Sequence, residues 1–221
     1  MRIHLFFSWQ METDLQGFHN KPFLYKCICD AISEIQNKGD LKGVFIEPHQ
    51  GLENIPGTPE VAQQMYEQVD KYELFIGDVT TVQKIDPVFD DLRNNDGLFF
   101  RYGPNCNVYG EYNRALGKFH DAWQQVILLS NSANISPEQD ATIIPFDTRG
   151  RRWAIEFYLP DDSKESQETA KKQLMGTLKK AIYECAITAI HNIRNRYEPF
   201  DNWHNVRNNG IFKKKALNQD L

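Results

Sequence analysis

The chain has 221 residues, of which 41% are hydrophobic and 12% aromatic, so it can bury one sizeable core. Its net charge of -5 argues against a general nucleic-acid binder, because such binding requires a basic surface to neutralise phosphates. A mean hydropathy of -0.57 and the lack of a long uncharged apolar run argue against a membrane protein. We therefore expect neither nucleic acid nor a membrane among its partners.

The first ten residues, Met1–Gln10, turn polar too soon for a signal peptide. The cysteines Cys27, Cys29, Cys106 and Cys185 have neither CxxC nor any other zinc-site spacing, and the histidines include no HExxH pair. We therefore predict a cytoplasmic protein with reduced thiols and no metal site.

Five short apolar runs predict strands buried on both faces, as in a parallel sheet. They are, in chain order, Ile3–Ser8, Val44–Ile46, Leu74–Gly77, Val126–Leu129 and Thr142–Pro145. The segment Trp153–Leu159 alternates and predicts an additional edge strand. Apolar residues at helical spacing predict helices over 22–37, 58–72, 107–118 and 166–197.

This order predicts an α/β fold with a doubly wound, flavodoxin-like, five-stranded parallel sheet, the strand Ile3–Ser8 central and helices on both faces. Residues 1–160 form the predicted α/β domain. Residues 161–221 form a long C-terminal helix and, from Phe200, a loosely attached tail. The apolar stripe of this helix is longer than one sheet face requires. We therefore expect part of it to contact a second copy of the chain or another protein.

Polar residues follow most of the predicted strands. They are Ser8-Trp9-Gln10, Glu47, Asp78 to Thr80, Ser130-Asn131 and Asp147 to Arg149. Open parallel sheets bind ligands beyond the carboxyl ends of their strands, so these residues predict a site there. Each segment alone is equally typical of a cap or a turn.

Glu111 follows a Gly-Pro-Asn turn and lies in the first or second turn of a predicted helix, near its surface. A structural interpretation is available, because a carboxylate near a helix start is favoured by the helix dipole and can pair with Arg114. Spacing alone favours this structural role over a chemical one.

Four segments together resemble bacterial TIR-like predicted nucleotide-binding proteins, over about residues 3–158. They are Phe6–Gln10, Gly57–Ala62, Phe75–Thr80 and Asn105–Glu111. The last segment is also similar to the glutamate helix of nucleoside deoxyribosyltransferases. Cys106 stands where the bacterial family usually has proline, and Tyr112 begins a further departure from its pattern.

The resemblance implies an NAD glycohydrolase or cyclase of the TIR type, which makes a nucleotide signal in antiphage defence. NAD or a related nucleotide would be the substrate, no separate cofactor is implied, and the partner would be a second copy or a separately encoded effector. Glu111 would stabilise or attack the sugar cation formed when an N-glycosidic bond breaks, and Ser8 would orient Glu111 or a ribose hydroxyl.

The remaining predicted contacts rest on position near these residues. Phe7, Trp9 or Tyr109 would stack on a base, Asp78 would bind a ribose hydroxyl, Asn107 would contact the substrate, and Arg149 or Arg152 would face phosphates. Two alternatives stay open: an N-glycosidase like the deoxyribosyltransferases, and a non-catalytic nucleotide-binding or assembly module.

Overall fold

The structure is a computed structural model that describes residues 1–11, 13–14, 16–39, 41–51, 61–85, 101–118, 122–134 and 154–208. Within these ranges, none of the helices combines the length and the apolar character needed to span a lipid bilayer.

The main sheet has five parallel strands, as predicted. The described residues contain seven strands in two sheets. In chain order they are β1 (Arg2–Ser8), β2 (Phe45–Gln50), β3 (Leu74–Asp78), β4 (Gln83–Ile85), β5 (Arg101–Gly103), β6 (Val126–Asn131) and β7 (Ile155–Phe157). The order across the main sheet is β2-β1-β3-β6-β7, while β4 and β5 form a separate antiparallel pair. The alternation of strands and helices thus produces the flavodoxin-like arrangement that the sequence predicts.

Two details of the sheet differ from the prediction. Its fifth strand is Ile155–Phe157, inside the segment predicted as an additional edge strand, and it pairs parallel to β6. The predicted strand Thr142–Pro145 lies outside the described residues. Strand β1 has a neighbour on each side, as expected, but the middle position belongs to β3.

In the described residues four α-helices flank the main sheet: α1 (Lys21–Lys38), α2 (Val61–Lys71), α3 (Cys106–Leu116) and α4 (Lys164–Asn208). The first three lie within a few residues of their predicted ranges. Helix α4 continues to Asn208, past its predicted end at residue 197, while the loose attachment of the tail from Phe200 stays a prediction. Extending a helix by one residue adds a hydrogen bond without a new nucleation step, so a helix can outrun its apolar pattern.

Side chains of β1 alternate between two helix layers, which confirms the prediction of helices on both faces. Ile3, Leu5 and Phe7 belong to a core cluster with buried residues of α1 and α4. Phe6 belongs to a second cluster with residues of α2 and α3. The stripe of α4 from Ala170 to Ile190 is part of the first cluster, so this half of the helix packs on the domain.

Candidate functional site

A buried glutamine joins the carboxyl end of β1 to the start of α3. Gln10 donates from Nε2 to the carbonyl of Thr80 at 2.8 Å, and its Oε1 accepts from the backbone N–H of Asn105 at 2.7 Å. Asn105 is the N-cap of α3, and its side chain accepts from the backbone N–H of Asn107 at 2.6 Å. The start of α3 is therefore fixed relative to the ends of β1 and β3.

Glu111 lies on the buried face of α3, contrary to the expected position near the surface. The helix buries Val108, Glu111, Tyr112 and Ala115, and only 6% of Glu111 is exposed. These four positions follow helical spacing, so Glu111 occupies a place in the stripe that faces the sheet. The spacing itself carried this signal, because a glutamate three residues after Val108 and four before Ala115 falls on the apolar face.

The ion pair in the structural interpretation of Glu111 is absent. Arg114 instead donates from Nε to Asp70 of α2 at 2.8 Å, on the exposed surface between the two helices. Among the residues that the structure describes, no cation forms an ion pair with Glu111. Arg114 thus ties α3 to α2 and does not pair with Glu111.

Burial raises the pKa of Glu111 above its ordinary value of 4.5, and hydrogen bonding from the Ser8 side chain lowers it in part. The Ser8 hydroxyl is fully buried, and within the described part of the chain its Oγ has no hydrogen-bond partner of good geometry. Ser8 therefore faces Glu111 without completing a well-formed bond. The structure brings these two predicted catalytic residues together beneath the carboxyl ends of β1 and β3.

The side chain of Asp78 is hydrogen-bonded within the protein. Its Oδ1 accepts from the Thr80 hydroxyl at 2.6 Å and from the Thr80 backbone N–H at 3.1 Å. The same hydroxyl accepts from the backbone N–H of Asn131 at 2.9 Å, which ties the ends of β3 and β6. The pKa of Asp78 is raised to about 6. Burial is the largest cause and the charge of Asp14 adds to it, while hydrogen bonds from Thr80 and Gln10 offset part of the increase. These contacts do not support a ribose-binding role.

Two of the predicted stacking residues are already in contact with protein groups. Phe7 is fully buried and stacks on Tyr25 with ring centroids 6.2 Å apart, on the face of the sheet away from α3. Trp9 is half-buried, and the Lys21 ammonium lies 3.5 Å from the centroid of its ring. A base-stacking role for Phe7 is therefore not supported, and Trp9 offers at most its other ring face.

The other predicted contacts have mixed positions. Asn107 is exposed at the first turn of α3, and Tyr109 is half-buried with its ring edge-on to Tyr112 at 5.7 Å. Arg149 and Arg152 lie outside the described residues. Asn107 and Tyr109 stay candidates, because both lie on the same end of α3 as the Gln10 and Asn105 contacts.

A comparison of the chain with protein-family models found no match, and a comparison with curated proteins found none either. The resemblance to TIR-like proteins and to deoxyribosyltransferases stays a prediction.

Proposed function

We propose that the protein cleaves an N-glycosidic bond of NAD or a related nucleotide, with Glu111 as the catalytic carboxylate. The observation that carries the proposal is a buried glutamate with no ion-pair partner among the described residues, beside the buried hydroxyl of Ser8. Open parallel sheets bind ligands at this end of their strands.

An uncompensated buried carboxylate is costly, since burial removes its hydration without supplying an opposite charge. Apolar side chains at the equivalent positions of α3 show what folding alone favours there, because Val108, Tyr112 and Ala115 are all buried. A glutamate in such a stripe is typical of a functional site, where a perturbed pKa and a low-dielectric environment serve the reaction.

The chemistry follows from the charge of Glu111. When nicotinamide leaves NAD, the bond electrons go with the ring and positive charge develops on the ribose carbon. A carboxylate in a poorly solvated site stabilises this charge more strongly than it would in water, or attacks the carbon and forms a covalent intermediate. Ser8 would orient the carboxylate, or donate to a ribose hydroxyl. Water or a second nucleophile would then complete hydrolysis or cyclisation.

The proposal has one structural requirement. Glu111 is only 6% exposed and Ser8 is fully buried, so a nucleotide must reach them through a more open conformation. Binding of the substrate, or assembly of several copies, would supply the free energy for that opening. Activity is therefore to be assayed both in dilute solution and under conditions that drive assembly.

The test is release of nicotinamide from NAD by the purified full chain, compared with the Glu111→Gln variant. Glu156→Gln is the matched control, because Glu156 is an exposed glutamate on β7. We expect activity in the wild type and the control and its loss in Glu111→Gln. Release of free bases from nucleosides but not from NAD would favour the deoxyribosyltransferase-like alternative. Binding of NAD without cleavage in any condition would favour the non-catalytic module.

A further inference from the structure

A second cluster of polar side chains, which could bind a ligand, lies toward the other end of β1, beside the edge strand β2. In the parallel register His4 is opposite Glu47, and Phe6 is opposite His49. Glu47 and His49 are two residues apart on one strand, so they project from the same face of the sheet. The three polar side chains therefore meet on one face, which is also the face covered by α2 and α3.

The potential ligand atoms converge on a small volume. His4 Nδ1 lies 3.0 Å from His49 Nε2 and 3.7 Å from Glu47 Oε2, and the three atoms all lie within 4.8 Å of one another. In a tetrahedral zinc site with bonds of about 2.0–2.1 Å, ligand atoms are roughly 3.3 Å apart. The two distances from His4 lie on either side of that value. Small rotations of the partly exposed Glu47 would bring the third atom into place.

An aromatic ring orders the two imidazoles. Tyr72 stacks on His49 with centroids 4.7 Å apart and an interplanar angle of 17°, and on His4 at 5.8 Å and 30°. The backbone N–H of His4 donates to Glu73 at 2.8 Å, which fixes the strand beside this ring. The side chains of His4 and Glu47 are 34% and 47% exposed, so an ion can enter from solvent.

A direct hydrogen bond between the two imidazoles also accounts for the 3.0 Å separation, provided that one of the facing nitrogens carries a proton. This contact does not involve Glu47, whose Oε2 lies 3.7 Å from His4 Nδ1, beyond hydrogen-bond distance, and 3.9 Å from the exposed guanidinium of Arg2. A metal ion uses all three groups. It replaces the shared proton and accepts a lone pair from each imidazole and from the carboxylate.

We propose that His4, Glu47 and His49 bind a divalent transition-metal ion such as zinc, which cross-links β1 to the edge strand β2. Two imidazoles select zinc, cobalt, nickel or copper over magnesium or calcium. Three protein ligands leave a fourth position for water or an external ligand. The site is separate from Glu111, because Ser8 lies four residues further along β1, roughly 13 Å away at the rise of a strand.

The expectation of no metal site arose because sequence motifs detect ligands at short, fixed spacings. Here one ligand is on β1 and two are on β2, and only the parallel register brings them together. The pair Glu47-x-His49 on a strand has no distinctive signature of its own.

To test this proposal, the untagged full chain is first stripped of metal with a chelator. It is then titrated with zinc, and binding is measured by calorimetry. A parallel titration uses cobalt, and binding is measured by visible absorption. We expect one ion per chain, a cobalt spectrum typical of nitrogen and oxygen ligands, and a higher melting temperature with zinc but not with magnesium. His49→Ala should weaken binding by roughly a hundredfold or more, because even loss of groups behind a ligand costs 10–100-fold. His19→Ala, at an exposed histidine, should leave binding unchanged.

Glu47→Gln provides a milder second variant at a half-exposed position, and circular dichroism checks that each variant is folded. It should weaken zinc binding while leaving the melting temperature of the stripped protein unchanged. Absence of zinc binding in the folded wild type would overturn the proposal. So would equal affinity in His49→Ala, or a cobalt-thiolate charge-transfer band, which would assign the ion to cysteines. None of these outcomes depends on cleavage of NAD, so they leave the Glu111 proposal unaffected.

Discussion

The Glu111→Gln substitution separates the chemical from the structural interpretation of this residue, because the two predict opposite changes in stability. Glu111 is buried, its pKa is raised by burial, and no described cation pairs with it. An amide of the same shape carries no charge to desolvate, and its NH2 group can donate to the Ser8 hydroxyl. We therefore expect the variant to be more stable near neutral pH by about 1 kcal/mol, the size of one net hydrogen bond.

The raised pKa of Glu111 also determines how the stability difference between the two proteins changes with pH. A carboxyl whose pKa is higher in the folded than in the unfolded state binds its proton more tightly when folded. Wild-type stability therefore falls as the pH rises from 4.5 through the folded pKa, and the variant lacks this loss. The difference between the two proteins should be small below pH 4.5 and largest near neutral pH. Urea unfolding at both pH values measures it, with Glu156→Gln as the control.

Activity should change in the other direction. Removing one electrostatic contact to a developing charge typically costs 10²–10³ in kcat, so nicotinamide release should fall by about that factor. Wild-type activity should also rise with pH through the pKa of Glu111, since the ionised form is required. A variant that is less stable than the wild type and retains its turnover would refute this reasoning and make Glu111 a structural residue.

Three further predictions concern other elements. Asp78→Asn should raise the free energy of unfolding near neutral pH by up to about 3 kcal/mol, because a folded pKa of about 6 disfavours the ionised form of Asp78. Below pH 3.8 the substitution should have no effect. Equal urea midpoints for the variant and the wild type near neutral pH would count against this prediction. Gln10→Ala should cost about 1–3 kcal/mol of stability, because it leaves the Thr80 carbonyl and the Asn105 N–H without their buried partner. If Gln10 also positions α3, it should lower kcat more than it raises KM, and an unaltered kcat would restrict Gln10 to folding. Truncation after Arg194 keeps the core stripe of α4 and should lower the number of copies per particle, which is the light-scattering mass divided by the mass of one chain. An unchanged number of copies would exclude an assembly role for the end of this helix.

The sequence predicted the sheet well because short apolar runs report burial on two faces, and that is how β1, β3 and β6 lie. It was less informative at the sheet edge. In Ile155–Phe157 the central Glu156 is exposed, so the alternation reports an edge position but not the strand that it pairs with. The end of α4 was missed for a related reason, since helix extension does not require an apolar stripe.

The meeting of polar residues at the strand ends was predictable from the sequence, but their individual contacts were less so. Polar strand ends indicated where the residues converge, but the partners are set by contacts between distant segments. Gln10 and Asn105 are 95 residues apart in the chain, and no local pattern encodes their hydrogen bond. The burial of Glu111 was encoded in its helical spacing. A position near the helix start favours an exposed glutamate stabilised by the helix dipole, whereas the position in the apolar stripe requires burial.

The hydrogen bonds distinguish polar residues that folding explains from those that it does not. Most polar groups at this end of the sheet have protein partners: Asp78 binds Thr80, Gln10 bridges Thr80 and Asn105, and Asn131 contacts the backbone N–H and carbonyl of Leu159. A group with such partners is explained by folding alone. Glu111 has no ion pair within the described residues, and Ser8 has no well-formed hydrogen bond there. An unpaired buried carboxylate reduces stability, so folding alone does not account for Glu111, whereas the proposed cleavage would use its charge.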